Sequence, residues 1–287
     1  MTSPRSALVV EGGAMRGIFA SGVLDTLMLA GHEDFDFAIG VSAGATNLTG
    51  YISHQPERSK RAILEYARQR EFFNPVRFFR GGHLTDIHWL WNYANQQLPL
   101  ASEQFNDAIP MYAAITHVET GSAHYIRVTA ENVHDLMVAT CAIPFAYRDQ
   151  PLVNGEYYVD GGVADSIPVR QAYNMGARDI TVVLSRPRGY RKKPASSQWM
   201  MERLIGYNSS NSQLLSAMLF RSDDYNASLD FIDNPPDDCI VHVIAPPPEF
   251  NVSRLTMKLD RLTAGYEMGK NGGLNYLREV SQLHQVA

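Results

Sequence analysis

Two short apolar runs near the start of the chain each break into a glycine-containing turn, and this pair of junctions restricts the fold more than any other feature. Ala7-Leu8-Val9-Val10 ends at Glu11-Gly12-Gly13, and Phe35-Asp36-Phe37-Ala38-Ile39 runs into Gly40-Val41-Ser42-Ala43-Gly44. A continuous apolar run of this length reads as a strand buried on both faces, the habit of parallel sheets. Helical spacing follows each turn. Phe19, Val23 and Leu27 lie four apart, as do Ala20, Leu24 and Met28, with Gly31 as the stop; Ala45 to Tyr51 opens a second helix with small residues. Strand, turn, helix, strand, turn, helix within 55 residues predicts an α/β fold with a mostly parallel central sheet and helices on both faces.

Further along, residues 56–108 change character. Pro56, Pro75 and Pro99 punctuate helical stretches rich in Phe72, Phe73, Phe78, Phe79, Trp89, Trp91 and Tyr93, which reads either as a helical insertion capping a single domain or as core aromatics under ordinary helices. Residues 109–118 and 123–128 flank Glu119-Thr120-Gly121-Ser122, a hairpin signal. A helix over 132–142 is expected to be capped by Asn132. Tyr157-Tyr158-Val159 runs as a strand into Asp160-Gly161-Gly162, Pro168 opens a helix that Gly176 ends, and residues 179–184 and 240–244 read as strands. Residues 196–232 and 254–279 read as helical, the latter with a break at Gly272-Gly273, in a C-terminal extension over 196–287.

Three motifs carry chemistry. In Gly40-Val41-Ser42-Ala43-Gly44 a serine stands on a sharp strand-to-helix turn, and Gly40 and Gly44 relieve the crowding such a turn creates. The helix that begins at Ser42 also aims its positive end at the place where negative charge would form. Glu11-Gly12-Gly13-Ala14-Met15-Arg16-Gly17 lies between strand and helix, where successive backbone N–H groups of Gly12, Gly13 and Ala14 make an anion-binding concavity. It lacks the G-K-[ST] of a phosphate loop and the G-x-G of a dinucleotide turn. A concavity of N–H groups beside a serine elbow fits a tetrahedral oxyanion. Asp160-Gly161-Gly162 ends a later strand. Parallel strands deliver their C-terminal ends to one edge of the sheet, so Asp160 is expected to meet Ser42 there.

These elements, in this order, resemble the patatin-like phospholipase family, in a bacterial-type member. The family pattern is D/E-G-G-G-x-R/K-G, then G-x-S-x-G, then D-G-G/A. Ala139-Thr140-Cys141-Ala142-Ile143-Pro144 resembles the family's A-S-x-x-I-P segment, and Ser166-Ile167-Pro168-Val169 its N-x-P-V. The resemblance covers about residues 7–187. One departure is Ala14, which stands where the family has a third glycine; it keeps the N–H but does not take positive φ cheaply. The resemblance implies a lipid acyl hydrolase with a serine–aspartate dyad and no histidine. Ser42 would attack an acyl ester, Asp160 would take its proton, and the N–H groups of Gly13 and Ala14 would hold the oxyanion. Arg16, Gly17, Gly161 and Gly162 would support the site. Arg16 would orient the loop or meet a lipid phosphate; a surface salt bridge is the competing reading.

Two other readings compete. A conventional Ser-Asp-His esterase needs a histidine after Asp160, and only His242 and His284 qualify; both read as structural. A non-catalytic lipid-binding member of the fold would have no use for Ser42 and Asp160. His83-x-x-Asp86-x-His88 has ligand residue types without a supporting cluster, so no metal and no cofactor are expected. Arg186, Arg188, Arg191, Lys192 and Lys193 crowd one loop, read as solvated or as a contact for anionic headgroups. A net charge of −5 gives no indication of nucleic acid. Two cysteines, Cys141 and Cys239, make no disulfide framework and read as small buried residues. No stretch reads as a signal peptide or transmembrane helix. The expected partner is a lipid or fatty ester, met at most peripherally at a membrane by a cytoplasmic protein.

Overall fold

A computed structural model describes residues 5–194 and 212–286. Its centre is an eight-stranded sheet. Strands β1 (Arg5–Val10), β2 (Phe37–Val41), β3 (Met111–His117), β7 (Ala177–Val183) and β8 (Ile240–Ile244) form its parallel part, in the order β3-β2-β1-β7-β8. Three more strands attach antiparallel: β4 (Ala123–Arg127) and β6 (Glu156–Asp160) to β3, and β5 (Leu152–Val153) to β6. The pleat sends alternate side chains to opposite faces. From β1, Leu8 and Val10 enter a core with Phe19, Val23 and Leu27 of α1 (Gly17–Leu29), Leu48 of α2 (Ala43–Ile52) and Leu136 of the later helix 133–141. Ala7 and Val9 enter a second core with Val169, Tyr225 and Leu229 on the other face. Helices therefore cover both faces, and β1 reads as an unbroken apolar run for that reason.

Register decides where the site lies. Tyr112 to Ala114 of β3 pair with β4 on one side and β2 on the other. Ile115 and Thr116 pair with β4 and, together with His117, with β6. So β2 and β6 share one side of β3 and run toward each other. Val41, the last residue of β2, is level with Ala114, and Asp160, the last of β6, is level with Ile115. Asp160 thus reaches Ser42 from an antiparallel strand. The expectation of a common parallel edge is corrected: the turn at 119–122 is a hairpin, so β3 presents its far half to a strand arriving from the opposite direction.

The insertion consists of short helices: α3 (Arg58–Arg61), a π-helical turn over Ala62–Tyr66, α4 (Pro75–Phe79) and α5 (Ile87–Gln97). Asn74 and Asp86 cap α4 and α5 by accepting from Arg77 and Trp89 backbone N–H groups. α6 (Val133–Cys141) starts without the expected cap. Asn132 instead accepts from the Thr129 N–H and donates to the Arg127 carbonyl, tying the turn that precedes the helix. α7 (Val169–Asn174) follows β6. Of the expected helix from 196, residues up to 211 lie outside the described ones; from there α8 (Ser212–Asp233) is helical, and α9 (Leu259–Val286) closes the chain.

The expected break at Gly272-Gly273 does not occur, because these glycines make a contact surface. α9 lies against α1 so closely that a Cβ on Gly269 would stand 2.0 Å from the Phe19 carbonyl oxygen, and one on Gly22 would stand 2.2 Å from that of Tyr266. Alanine has the better helix propensity by about 1 kcal/mol. A backbone contact of that length outweighs it, since overpacking costs about 1–3 kcal/mol. Gly269→Ala is therefore expected to lower the midpoint of chemical denaturation despite its helix-favouring change. An unchanged or raised midpoint would contradict this packing.

Candidate active site

Ser42 sits between β2 and α2 with φ 52° and ψ −125°. A side chain held there stores about 1–3 kcal/mol of strain, so neighbours must fix it. Close approach does part of this: a Cβ on Gly40 would lie 2.6 Å from the Ala45 Cα, and one on Gly44 2.3 Å from the Val10 carbonyl oxygen. A residue outside the motif does the rest. The Ser42 backbone N–H donates to the Thr140 hydroxyl at 2.8 Å, and Thr140 donates in turn to the Ala114 carbonyl at 2.7 Å. Ser42 is 7% exposed.

The glycine loop packs against this elbow. A Cβ on Gly12 would come within 3.1 Å of the Ser42 Cβ, and one on Gly17 within 2.9 Å of the Ala43 Cβ. Asn47 donates to the Gly17 carbonyl. Ala14 does adopt the costly conformation, φ 49°, so the departure from a third glycine leaves the loop geometry intact at the price of local strain. The N–H groups of Gly13 and Ala14 have no acceptor among the described residues, and both residues line the cavity that Ser42 faces.

Arg16 is buried, which excludes a surface salt bridge. Its guanidinium donates to the Ser185 carbonyl and hydroxyl at 3.1–3.2 Å. Burial lowers its pKa to about 10, with nearby Glu11 opposing. Glu11 accepts from the Ser185 N–H at 2.6 Å and from the Tyr225 hydroxyl at 3.1 Å. Arg16 and Glu11 thus tie the loop to the chain just after β7.

Asp160, 4% exposed, lines the same cavity as Ser42. Its N–H donates to the Ala142 carbonyl, and its Oδ1 accepts from the Gly162 N–H at 2.7 Å. At Gly161 the chain crosses β3 so tightly that a Cβ would stand 2.1 Å from the Ala114 carbonyl oxygen. Burial pushes the Asp160 carboxyl above the usual carboxylate range; the Arg221 guanidinium, the Ser42 hydroxyl and the Gly162 amide each pull it back.

Two cavities meet at Ser42. One, of about 350 Å³, is lined by the glycine loop, Asp160, Gly162, Lys192, Arg221 and Arg254. The other, of about 360 Å³, runs beneath the insertion and is lined mainly by apolar side chains, among them Met15, Ile63, Phe72, Leu90, Trp91 and Met137. Volumes of this size are those of small-ligand sites. The aromatics of the insertion are therefore divided: Phe72, Phe73 and Trp91 line the cavity, while Phe79 is exposed. Cys239 is buried as expected; Cys141 is half-buried on the apolar cavity, where desolvation keeps it a thiol.

Other candidates lie elsewhere. Among the described residues no histidine lines either cavity. His242, on β8, faces Asp179 at 3.4 Å, which raises its pKa. His284 falls in α9. His83 stacks on Tyr147, Asp86 caps α5, and His88 contacts Asn92, so the three side chains do not converge. Among the described residues no cluster of His, Cys, Asp and Glu could hold a metal ion. The basic loop divides: Arg188 donates to the Val243 carbonyl, Arg191 pairs with Asp230 and Asp233, and only Lys192 and Lys193 line the Ser42 cavity. Thr140, Glu11, Ser185, Arg221 and Arg254 were not singled out as site residues from the sequence. Two of them carried a signal: Glu11 as the acidic residue that opens the family's glycine loop, and Thr140 as the hydroxyl residue where the family segment has serine.

A patatin-like phospholipase family model matches residues 8–173, and a domain of unknown function (DUF6363) matches residues 211–285. An uncharacterised protein of Escherichia coli strain K12, YjjU, is 35% identical over 285 residues, covering 97% of this chain and 79% of its own. The crystal structure of VipD from Legionella pneumophila superimposes with a TM-score of 0.52 at 11% identity, over 96% of this chain and 67% of that one; at that identity it speaks for the fold alone. An α/β sheet with a serine elbow and a glycine loop at one edge defines the class. The chain belongs to the patatin-like phospholipase family, whose members act on lipids. Among the described residues no helix is long and apolar enough to cross a membrane.

Two substitutions test this geometry through stability. Thr140→Val keeps the shape but leaves the buried Ser42 N–H and Ala114 carbonyl without their shared partner. It should cost about 1–3 kcal/mol in chemical denaturation, with Thr140→Ser close to wild type; an unaffected valine variant would refute the role of Thr140. Asp160 gives the opposite sign. Its folded pKa is raised, so the folded state binds the proton more tightly than the unfolded one. Stability therefore falls as pH rises from the unfolded to the folded pKa and stays lowered above it. Asp160→Asn, which keeps an acceptor for the Gly162 N–H, should unfold at a higher temperature than wild type at neutral pH. A lower unfolding temperature would contradict the burial cost.

Proposed function

We propose that the protein is a serine lipid acyl hydrolase, cleaving a phospholipid, lysophospholipid or other fatty ester from the water side of a lipid surface. The observation that carries the reading is the position of Ser42 where an apolar cavity meets one lined by Asp160 and the glycine loop. The apolar cavity under the insertion would take the acyl chain. The ester carbonyl would then lie beside the Ser42 Oγ.

Ser42 Oγ attacks the carbonyl carbon, and its proton passes to the ionised Asp160. The tetrahedral oxyanion is held by the N–H groups of Gly13 and Ala14, with Gly12 shaping the turn. Collapse breaks the bond to the alcohol oxygen, which takes the proton from Asp160. Water then attacks the acyl-serine, giving its proton to Asp160, and the second collapse returns that proton to Ser42 as the fatty acid leaves. General base catalysis contributes about 10²–10⁴ in rate, and one oxyanion donor about 10²–10³. Burial of Asp160 suits this role, because a base with a raised pKa is the stronger proton acceptor once ionised.

A conventional triad has less support, since His242 is occupied with Asp179 on the edge strand.

Hydrolysis of a graded p-nitrophenyl ester series should be lost in Ser42→Ala and in Asp160→Asn, by at least about 10²-fold in each, with the fold retained by circular dichroism. Full activity in either variant would sink the dyad. In wild type, kcat/KM should fall as pH drops through the raised Asp160 pKa. Arg221→Gln removes the strongest opposing charge on that carboxylate, so its acid limb should move to higher pH. A limb that stays put would separate Arg221 from the base.

A further inference from the structure

The Ser42 cavity carries more positive charge than the proposed reaction uses. Lys192, Lys193, Arg221 and Arg254 line it, against a single lining carboxylate among the described residues, Asp160. Arg221 sits beside that carboxylate across Gly162: a Cβ on Gly162 would be 3.0 Å from the Asp160 Oδ1 and 3.3 Å from an Arg221 terminal nitrogen. The other nearby acid, Glu11, is already engaged by Ser185 and Tyr225. Two donors in the cluster, Lys192 Nζ and Arg221 Nε, are buried with no hydrogen-bond acceptor among the described residues, and Lys192 Nζ has only the Tyr225 ring at 5.1 Å. Each buried donor without a partner costs about 1–3 kcal/mol, and neighbouring cations repel one another. Groups held at such a cost next to a nucleophile mark a binding function.

We infer that Lys192, Arg221 and Arg254 form a subsite for a phosphoryl group on the alcohol side of the ester, so that the preferred substrate is an acyl ester bearing a phosphomonoester rather than a neutral or zwitterionic headgroup. This rests on the acyl hydrolase reading above. A phosphomonoester carries up to two negative charges and three acceptor oxygens, matching several cations with free donors. A choline or ethanolamine head would bring an additional cation into a site already rich in them. Burial and the neighbouring guanidinium groups of Arg221 and Arg254 lower the Lys192 pKa to about 7, and a bound dianion would reverse that pressure. Arg221 lies in α8 and Arg254 before α9, within the stretch matched by the domain of unknown function. That stretch thereby acquires a role in headgroup selection.

The test compares three substrates with one acyl chain: monoacylglycerol phosphate, monoacylglycerol and monoacylglycerophosphocholine. Wild type should favour the phosphomonoester by at least about tenfold in kcat/KM, and Arg254→Gln and Lys192→Gln should each reduce that preference by about tenfold. Arg254→Lys should retain part of it. Arg178→Gln, half-buried at the start of β7 and paired with Asp238 away from the cavity, should leave it unchanged. Binding is measured separately by calorimetry on the Ser42→Ala protein with dodecyl phosphate, dodecyl maltoside and inorganic phosphate. Dodecyl phosphate should bind, and Arg254→Gln should weaken it by about tenfold. A substrate preference and a dodecyl phosphate affinity that both ignore Arg254 and Lys192 overturn the subsite while leaving the hydrolase reading standing. Arg254-dependent binding of dodecyl phosphate without hydrolysis of any ester supports the subsite and defeats the hydrolase reading. Inorganic phosphate binding as tightly as dodecyl phosphate overturns the lipid headgroup as its occupant.

Discussion

Everything at the site depends on how one side of β3 is shared between two strands that meet end to end. β2 stops at Val41, level with Ala114, and β6 stops at Asp160, level with Ile115. A ladder interrupted in this way leaves backbone groups that must find partners elsewhere, because burying them unpaired costs about as much as a lost hydrogen bond. Thr140 supplies the solution. Its hydroxyl accepts from Ser42 and donates to Ala114, and two residues later the Ala142 carbonyl accepts from Asp160. One short piece of α6 thus satisfies both strand ends and fixes the spacing between a hydroxyl and a carboxylate. Gly161 is required because the chain then turns directly over the Ala114 carbonyl.

Local features of this arrangement were readable in the amino-acid sequence because they are written in residues close together. A glycine two before and two after Ser42, and an apolar run before each turn, are signatures of backbone crowding and two-faced burial. The direction of β6 was not readable in that way. Direction depends on a pairing between residues about 45 positions apart, and the strand's own pattern is the same whichever way it runs. Gly272 and Gly273 misled for a related reason. Glycine in a helix signals either a break or a close contact, and only the partner helix, more than 200 residues earlier, decides which. Asn132 is a third case: its side chain had two local uses, and the turn at 127–132 claimed it before the helix did. Arg221 and Arg254 could not be singled out at all, since nothing in their neighbourhoods separates an arginine that lines a cavity from one in solvent.

The electrostatics of the site follow from the same geometry. Ending β6 in the interior places Asp160 where its charge is poorly solvated, and the protein offsets only part of that with Arg221, Ser42 and Gly162. Arg221 is itself buried and repelled by Arg254, so it stabilises the carboxylate while being destabilised by its own environment. The result is a carboxyl group held between two demands. Full compensation would return its pKa toward the ordinary carboxylate range, and less compensation would raise it further.

α9 connects this balance to the rest of the chain. Its glycines let it lie directly on α1, and α1 springs from the loop that carries Gly13, Ala14 and Arg16. A bulkier helix would stand farther off and tilt α1 outward. The loop at its start, already strained at Ala14, would then lose that support. Arg254 sits five residues before α9 begins and lines the cavity with Ser42, so the same docking that steadies the loop also bears on where that cation stands. Strain at Ala14 and charge at Arg254 are thus held by one helix contact, which ties the C-terminal stretch to the site mechanically as well as electrostatically.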